Sequence, residues 1–221
     1  MRICGIDEAG KGPVLGPMTA AGVAAEDEHA FRGMGIKDSK QLTPKKREQL
    51  YTDITESFDW HVVIKTPQEI DQRPGTMNDF TASLHAEAAS ALRPEKLILD
   101  ACDVNADRFG VTVLEKTSLP KEKWPKEVIS IHKADAVYEI VGAASIVAKV
   151  TRDRIIGELN EEYGKEYGSI GSGYPSDAVT VAFLREYIRR HGQAPACART
   201  SWQTVKDLLG AAGQRRLDSF W

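Results

Sequence analysis

The stretch RICGIDEAGKGPVLGP, Arg2–Pro17, decides between two kinds of α/β protein. Inside it, Gly5–Gly12 reads GIDEAGKG and nearly completes the phosphate-cradling pattern G-x-x-x-x-G-K-[ST]. That loop works by aiming bare backbone N–H groups at phosphate, with a hydroxyl to hold magnesium. Here Asp7 and Glu8 stand within the loop and would repel a triphosphate. Gly12 has no hydroxyl, and Pro13 has no N–H. A nucleotide-binding loop is therefore rejected. What remains is a short strand, Arg2–Asp7, that ends in acids and runs into a glycine turn.

Outward from this stretch, strands and helices alternate. Pro17–Ala25 and Trp60–Thr66 read as strands. Lys96–Asp100 (KLILD) is a compact apolar strand closed by an acid, and Glu127–His132 is another strand. Thr43-Pro44 is a helix start, a hydroxyl cap followed by proline, for a helix reaching Phe58. Further helices are expected from a cap at Asn78 to Leu92, over Ala134–Tyr163, from a cap at Ser176 to His191, and over Ser201–Leu209. An α/β layered domain follows for residues 1–209, with residues 210–221 as a detached flexible tail. No repeat or low-complexity linker interrupts the chain.

The composition narrows the class. A chain of 221 residues has enough length for a real core, and 42% hydrophobic with 28% charged residues is the balance of a soluble globular protein. No apolar run reaches membrane-spanning length, and the N-terminus lacks the pattern of a secretory signal, so the expected location is the cytoplasm. The three cysteines, Cys4, Cys102 and Cys197, form no paired motif and are expected to be free. A net charge of −3 argues against a protein coated for nucleic acid, but two local basic strips stand out, Lys37–Arg47 and Lys149–Arg154. Such strips also occur on helices for solubility alone.

Four acids stand where elements meet: Asp7 and Glu8 after the first strand, Asp100 after KLILD, and Asp135 at the start of a helix. Ligands of α/β sheets gather beyond strand ends. Carboxylates crowded together repel one another, and a hard divalent cation such as magnesium relieves that repulsion. Two such ions could activate water and stabilise a leaving oxygen at a phosphodiester. Each acid taken singly also has a structural reading, Asp135 at a helix N-terminus and Asp100 in a turn.

The segments GIDEAGKGPVLGP, KDSKQL, LILDACDVN, HKADAVYEIVGAASIVAKVTRDR and GSGYPSD together resemble the ribonuclease HII family in its archaeal form. The resemblance covers most of residues 1–190, with the motifs in order. It implies an α/β ribonuclease H-like fold: a mixed five-stranded sheet flanked by helices, with a helical C-terminal extension. It implies endonucleolytic cleavage of the RNA strand of RNA/DNA hybrids, and 5′ of a single ribonucleotide in duplex DNA, leaving 5′-phosphate and 3′-hydroxyl ends. By this resemblance Asp7, Glu8, Asp100 and Asp135 are catalytic and hold Mg²⁺ or Mn²⁺, with two ions when substrate is bound. Asp103 does not match a ligand position. Gly10, Lys11 and Gly12 correspond to a glycine–arginine–glycine turn whose backbone contacts the ribose 2′-hydroxyl. Lys11 departs from the arginine, so any bidentate phosphate contact is lost. Tyr174 matches a tyrosine that packs at the RNA–DNA junction, and Lys40 a phosphate-contacting lysine. Lys149 and Arg152 are further candidates for the duplex groove. A monomer is expected.

The chain ends QRRLDSFW. Gln214, Leu217, Phe220 and Trp221 fall at i, i+3, i+6 and i+7, a spacing that one tight turn gathers into an apolar plug. Exposed aromatics call for a covering partner. The pattern is similar to the motif by which replication and repair proteins dock on the DNA sliding clamp; the alternative is that the tail folds back on the core. Two functional rivals also stay open: another nuclease or resolvase on the same fold, and a non-catalytic hybrid-binding adaptor tethered to the clamp.

Overall fold

The computed structural model describes residues 1–27, 29–36 and 42–218, the side chains of 215–218 excepted. Five strands form one sheet: β1 (Ile3–Ala9), β2 (Met18–Ala25), β3 (Asp59–Lys65), β4 (Lys96–Asp100) and β5 (Glu127–Ile131), in the order β3-β2-β1-β4-β5. β1 runs antiparallel to β2, with Ile3 opposite Ala25 and Ala9 opposite Thr19. It runs parallel to β4, with Ile3 beside Lys96 and Ile6 beside Leu99. β4 and β5 are also parallel. The sheet is therefore mixed and five-stranded, as expected. The helices are α1 (Pro44–Ser57), α2 (Pro67–Asp71), α3 (Met77–Leu92), α4 (Ala106–Lys116), α5 (Ala134–Val137), α6 (Glu139–Tyr167), α7 (Ala178–His191) and α8 (Gln203–Asp218).

The described chain divides into two compact units. The first comprises Met1–Lys11, Thr19–Ile64 and Pro74–Thr151; the second comprises Gly12–Met18, Lys65–Arg73 and Arg152–Trp221. The first holds the sheet. Its core gathers Ile3, Val23, Leu50, Ile54, Ile98, Val141, Ala144 and Val147. Close approach of α6 to the sheet depends on glycine. A Cβ on Gly5 would lie 2.6 Å from the Ile140 carbonyl carbon and the Val141 nitrogen, backbone atoms that cannot step aside. The second unit has its own core of Val14, Leu15, Ile170, Phe183, Leu184, Cys197 and Val205.

Several boundaries differ from expectation, each for a local reason. α3 is capped by Thr76 rather than Asn78. Thr76 and Asp79 exchange hydrogen bonds in a reciprocal capping box, which leaves the Asn78 amide for another task. α7 is capped by Asp177 rather than Ser176, its carboxylate accepting from Val179 N at 2.9 Å. The expected single helix from Ala134 breaks at Tyr138, whose extended backbone separates α5 from α6. The last helix continues past Leu209 to Asp218, so 210–218 is helical. α2 and α4 were not foreseen. Each has a local cap, Thr66 with Glu69 in a capping box for α2 and Asn105 for α4. Among the described residues, no helix is long and apolar enough to cross a membrane.

Candidate active site

Strand register sets the first two acids. Ile6 pairs with Leu99 in parallel β1 and β4, so the next residues, Asp7 and Asp100, emerge side by side at the same sheet end. The third comes by a turn. Lys133 adopts a left-handed conformation, φ 58°, and the chain then enters α5 with its first amide, Ala134 N, donating to Asp100 Oδ1 at 2.9 Å. Asp135 follows directly and is buried.

Asp7 is only 5% exposed. One of its oxygens accepts from Glu8 N at 2.7 Å. Burial raises its pKa well above the ordinary carboxylate range, and the charges of Glu8 and Asp100 push it further up, against hydrogen bonds from Ser145 and Glu8 N. Glu8 follows in the strand, so its side chain leaves from the opposite face. There it meets His85 of α3, whose Nε2 lies 2.9 Å from Glu8 Oε2.

Among the described residues, no three carboxylate, imidazole or thiol groups form a ready-made cage for an ion. The donor set nevertheless fits a hard cation that completes its shell with water and phosphate oxygens, as magnesium does. A buried carboxylate pressed by two like charges is the electrostatic condition that such a cation relieves.

The glycine turn begins with Gly10 at φ 87°, a left-handed conformation suited to glycine. Lys11 next to it does not extend outward. Its ammonium donates to Asn78 Oδ1 at 2.7 Å and to the Cys102 carbonyl at 3.2 Å. The amide released from capping thus anchors the lysine of the glycine turn. Asp103, in the loop after β4, accepts from Asn105 N at 3.2 Å and pairs with Arg108, bracing that loop.

In the second unit, Gly12–Met18 is sewn down by backbone bonds. Val14 N donates to Gly173 O at 2.8 Å, Gly16 N to Cys197 O at 2.8 Å, and Arg199 N to Val14 O at 2.8 Å. Two buried arginines complete the seam. Arg199, with no exposed surface, donates to the carbonyls of Gly16 at 3.0 Å and Pro17 at 2.9 Å. Arg152 donates to Pro17 O at 3.3 Å and Leu15 O at 3.2 Å. Burial, with the nearby charge of Arg152, lowers the Arg199 pKa to about 9. The Arg152 guanidinium also lies 5.7 Å from the Tyr174 ring centroid. A Cβ on Gly12 would sit 3.9 Å from Tyr174 Cε1, so this glycine and the tyrosine border one another.

The sequence-predicted residues therefore separate by setting. Asp7, Glu8, Asp100 and Asp135 belong to the first unit, at the sheet end and the turn that leads into α5. Tyr174 is half-exposed beside Gly12. Arg152 differs from expectation: it is 4% exposed and holds a loop rather than lining a groove. It also lies on α6, not on the short helix of Asp135. Lys149 is exposed on α6. Gln214 is exposed on α8, and the backbone of Leu217 lies in the same helix. Lys40, Phe220 and Trp221 fall outside the described residues. Sequence reasoning missed His85, Asn78 as an anchor, and Arg199. Asn78, Thr81 and His85 fall at i, i+3 and i+7 of an alanine-rich helix, a polar stripe that could have pointed to the first two.

The model of the family described as Ribonuclease HII matches residues 4–205. A relative named Ribonuclease HII, from Methanocorpusculum labreanum, is 57% identical over all of both chains. The crystal structure of ribonuclease H2 from Pyrococcus horikoshii OT3 superposes with a TM-score of 0.86 at 40% identity, covering 97% of this chain and 100% of that one. The structure of the PCNA:RNase HII complex from Archaeoglobus fulgidus superposes with a TM-score of 0.81 at 40% identity, covering 92% and 96%.

The crowding at Asp7 has a measurable consequence in metal-free protein. A carboxyl with a raised folded-state pKa loses stability as pH climbs, because the unfolded chain ionises first. Asp7→Asn removes that burden. Without divalent metal at neutral pH, its melting temperature should exceed the parent's by at least about 2 °C, and its stability should fall less between pH 4 and 8. Calorimetric melts across pH check this; an unchanged or lower melting temperature would mean that Asp7 is not repelled.

Proposed function

The chain belongs to the ribonuclease HII family and is a ribonuclease H hydrolase; from that premise we propose that it cuts the RNA strand of RNA/DNA hybrids, and 5′ of single ribonucleotides embedded in duplex DNA, by metal-assisted hydrolysis that leaves 5′-phosphate and 3′-hydroxyl ends. The observation that carries the reading is the placement of Asp7 beside Asp100 by strand register, with Asp7 buried under like charge.

Asp7, Glu8, Asp100 and Asp135 would hold Mg²⁺ or Mn²⁺, two ions with substrate present. Those ions would polarise the scissile phosphate and lower the pKa of an attacking water. The chain's own part is to fix the donors. Strand register spaces Asp7 and Asp100, and the Ala134 amide on Asp100 Oδ1 fixes one of that residue's oxygens. Burial of Asp7 and Asp135 keeps competing water from their carboxylates.

Selectivity for RNA would come from the 2′-hydroxyl, the group that separates RNA from DNA at a single site. The backbone of Gly10, Lys11 and Gly12 would contact that hydroxyl, with glycine leaving space for close approach. Because the Lys11 ammonium is bound to Asn78 and Cys102 O, its replacement of arginine leaves the backbone contact available. Tyr174 would pack on the neighbouring nucleotide, its position fixed through Gly173 and Arg152. Lys40 and Lys149 would add phosphate contacts that set register without reading sequence.

The first test is a DNA duplex with one ribonucleotide, cut in magnesium and mapped at nucleotide resolution. A cut on the 5′ side, reduced at least about 10³-fold by Asp135→Asn with substrate affinity kept, is the expected result. Cleavage unaffected by the substitution would overturn the site assignment.

We also propose that the C-terminal segment docks on a DNA sliding clamp. Gln214, Leu217, Phe220 and Trp221 carry the pattern, and the relative solved in complex with PCNA supports it. Deleting residues 214–221 should abolish retention on immobilised clamp while leaving cleavage of free duplex within about 2-fold. Loss of cleavage would instead make the segment part of the catalytic fold.

A further inference from the structure

We propose that His85 is the positioning residue for Glu8, fixing that carboxylate as a metal ligand through a hydrogen bond from Nε2–H to Oε2. The proposal rests on the reading of Glu8 as a ligand and adds a residue that the family motifs of this sequence do not contain.

Strand geometry explains why Glu8 needs help. Asp7 and Glu8 are consecutive in β1, so their side chains leave opposite faces of the sheet. Asp7 takes a hydrogen bond from Ser145 of α6. Glu8 departs toward α3, where its Oε2 lies 2.9 Å from His85 Nε2. Its path to a cation at the strand end is therefore not set by the backbone. A free glutamate side chain would lose rotamer entropy on being fixed at an ion. A partner that holds it beforehand removes part of that cost from metal binding.

The imidazole is built for this task. It is fully buried, and the Phe109 ring meets it edge-on with centroids 5.2 Å apart. Its Nδ1 is buried with no hydrogen-bond partner among the described residues, so Nε2 is the ring's one polar engagement there. Burying an unsatisfied ring nitrogen is costly, and a purely structural role would be served by an apolar ring of similar size. The tautomer with its proton on Nε2 donates to Oε2 and leaves Oε1 for a cation. Hydrogen-bonded support of this kind is worth about 10–100-fold in metal affinity or activity. The same helix anchors Lys11 through Asn78, so α3 supports both ends of the Glu8–Lys11 segment.

The test compares His85→Phe, His85→Gln and Glu8→Gln. Mn²⁺ binding to substrate-free protein is measured by calorimetry, and kcat and KM on a hybrid duplex by steady-state kinetics. His85→Phe should weaken Mn²⁺ binding by about 10–100-fold and lower kcat with KM unchanged. His85→Gln, whose amide nitrogen sits where Nε2 does, should recover most of both. If the Phe variant does not fold, His85→Asn carries the same expected loss, because its shorter amide does not reach Glu8. Mn²⁺ affinity and kcat within about 2-fold of the parent in His85→Phe, alongside an impaired Glu8→Gln, would overturn the positioning role alone. An unimpaired Glu8→Gln would overturn the reading of Glu8 as a ligand, and the proposal with it.

Discussion

The parallel register of β1 and β4 is the constraint on which the rest of the first unit depends. It brings two acids to one end of adjacent strands, about 4.8 Å apart by ordinary strand spacing. Nothing in folding rewards that juxtaposition. The sheet accepts it because β1 is pinned on both sides, by β2 in antiparallel register and by α6 pressed against Gly5. Asp100 recovers some of the cost by accepting from Ala134 N, which also steadies the left-handed turn at Lys133 and delivers Asp135. The site is thus a strained electrostatic arrangement held by a rigid surround, which is how functional sites commonly depart from local stability.

The second unit answers a different physical problem with cations. A loop rich in glycine and proline, Gly12–Met18, has few side chains with which to hold itself. Arg152 and Arg199 fill that role by donating to its carbonyls from the interior. Burial is tolerable because a guanidinium is weakly hydrated and its fork of donors can meet several carbonyls at once. Gly171 and Gly173, both left-handed, shape the facing loop, and Asp177 pins it by accepting from the Ser172 amide and hydroxyl. Hydrogen bonds from Ser172 and Val179 hold the Asp177 carboxyl down at about 2, so the pin stays charged in all but strong acid.

Much of this was legible in the sequence because it is local. KLILD gave the bounds of β4 outright, since an apolar run closed by an acid has few other readings. Thr43-Pro44 marked the start of α1 for the same reason. Sequence reading failed where a residue's partner lies far along the chain. Asn78 reads as a cap until Thr76 and Asp79 are seen to satisfy that helix end themselves. Lys11 reads only as a turn residue in place of an arginine until Asn78 and Cys102 O are placed beside it. Arg152 reads as a candidate for the duplex groove and Arg199 draws no reading, because nothing in their neighbours shows that carbonyls of Leu15 to Pro17 await them. His85 was marked only by the polar stripe it forms with Asn78 and Thr81 on an alanine-rich helix. α4 escaped because its cap, Asn105, stands after Ala101–Val104, where no proline or apolar periodicity marks a helix start. Length misled at the C-terminus, where Gly210 and Gly213 suggested an ending that α8 passes through.

We propose that the carboxylates at the end of β1 and β4 are a cation site. Crystals grown with a hybrid duplex and manganese, measured at the manganese absorption edge, test it directly. Anomalous peaks are expected within coordination distance of the Asp7 carboxylate, shared with Glu8, Asp100 or Asp135 and with a phosphate oxygen of the substrate. Ordered substrate with no anomalous peak at Asp7, or with manganese bound only elsewhere, would contradict it.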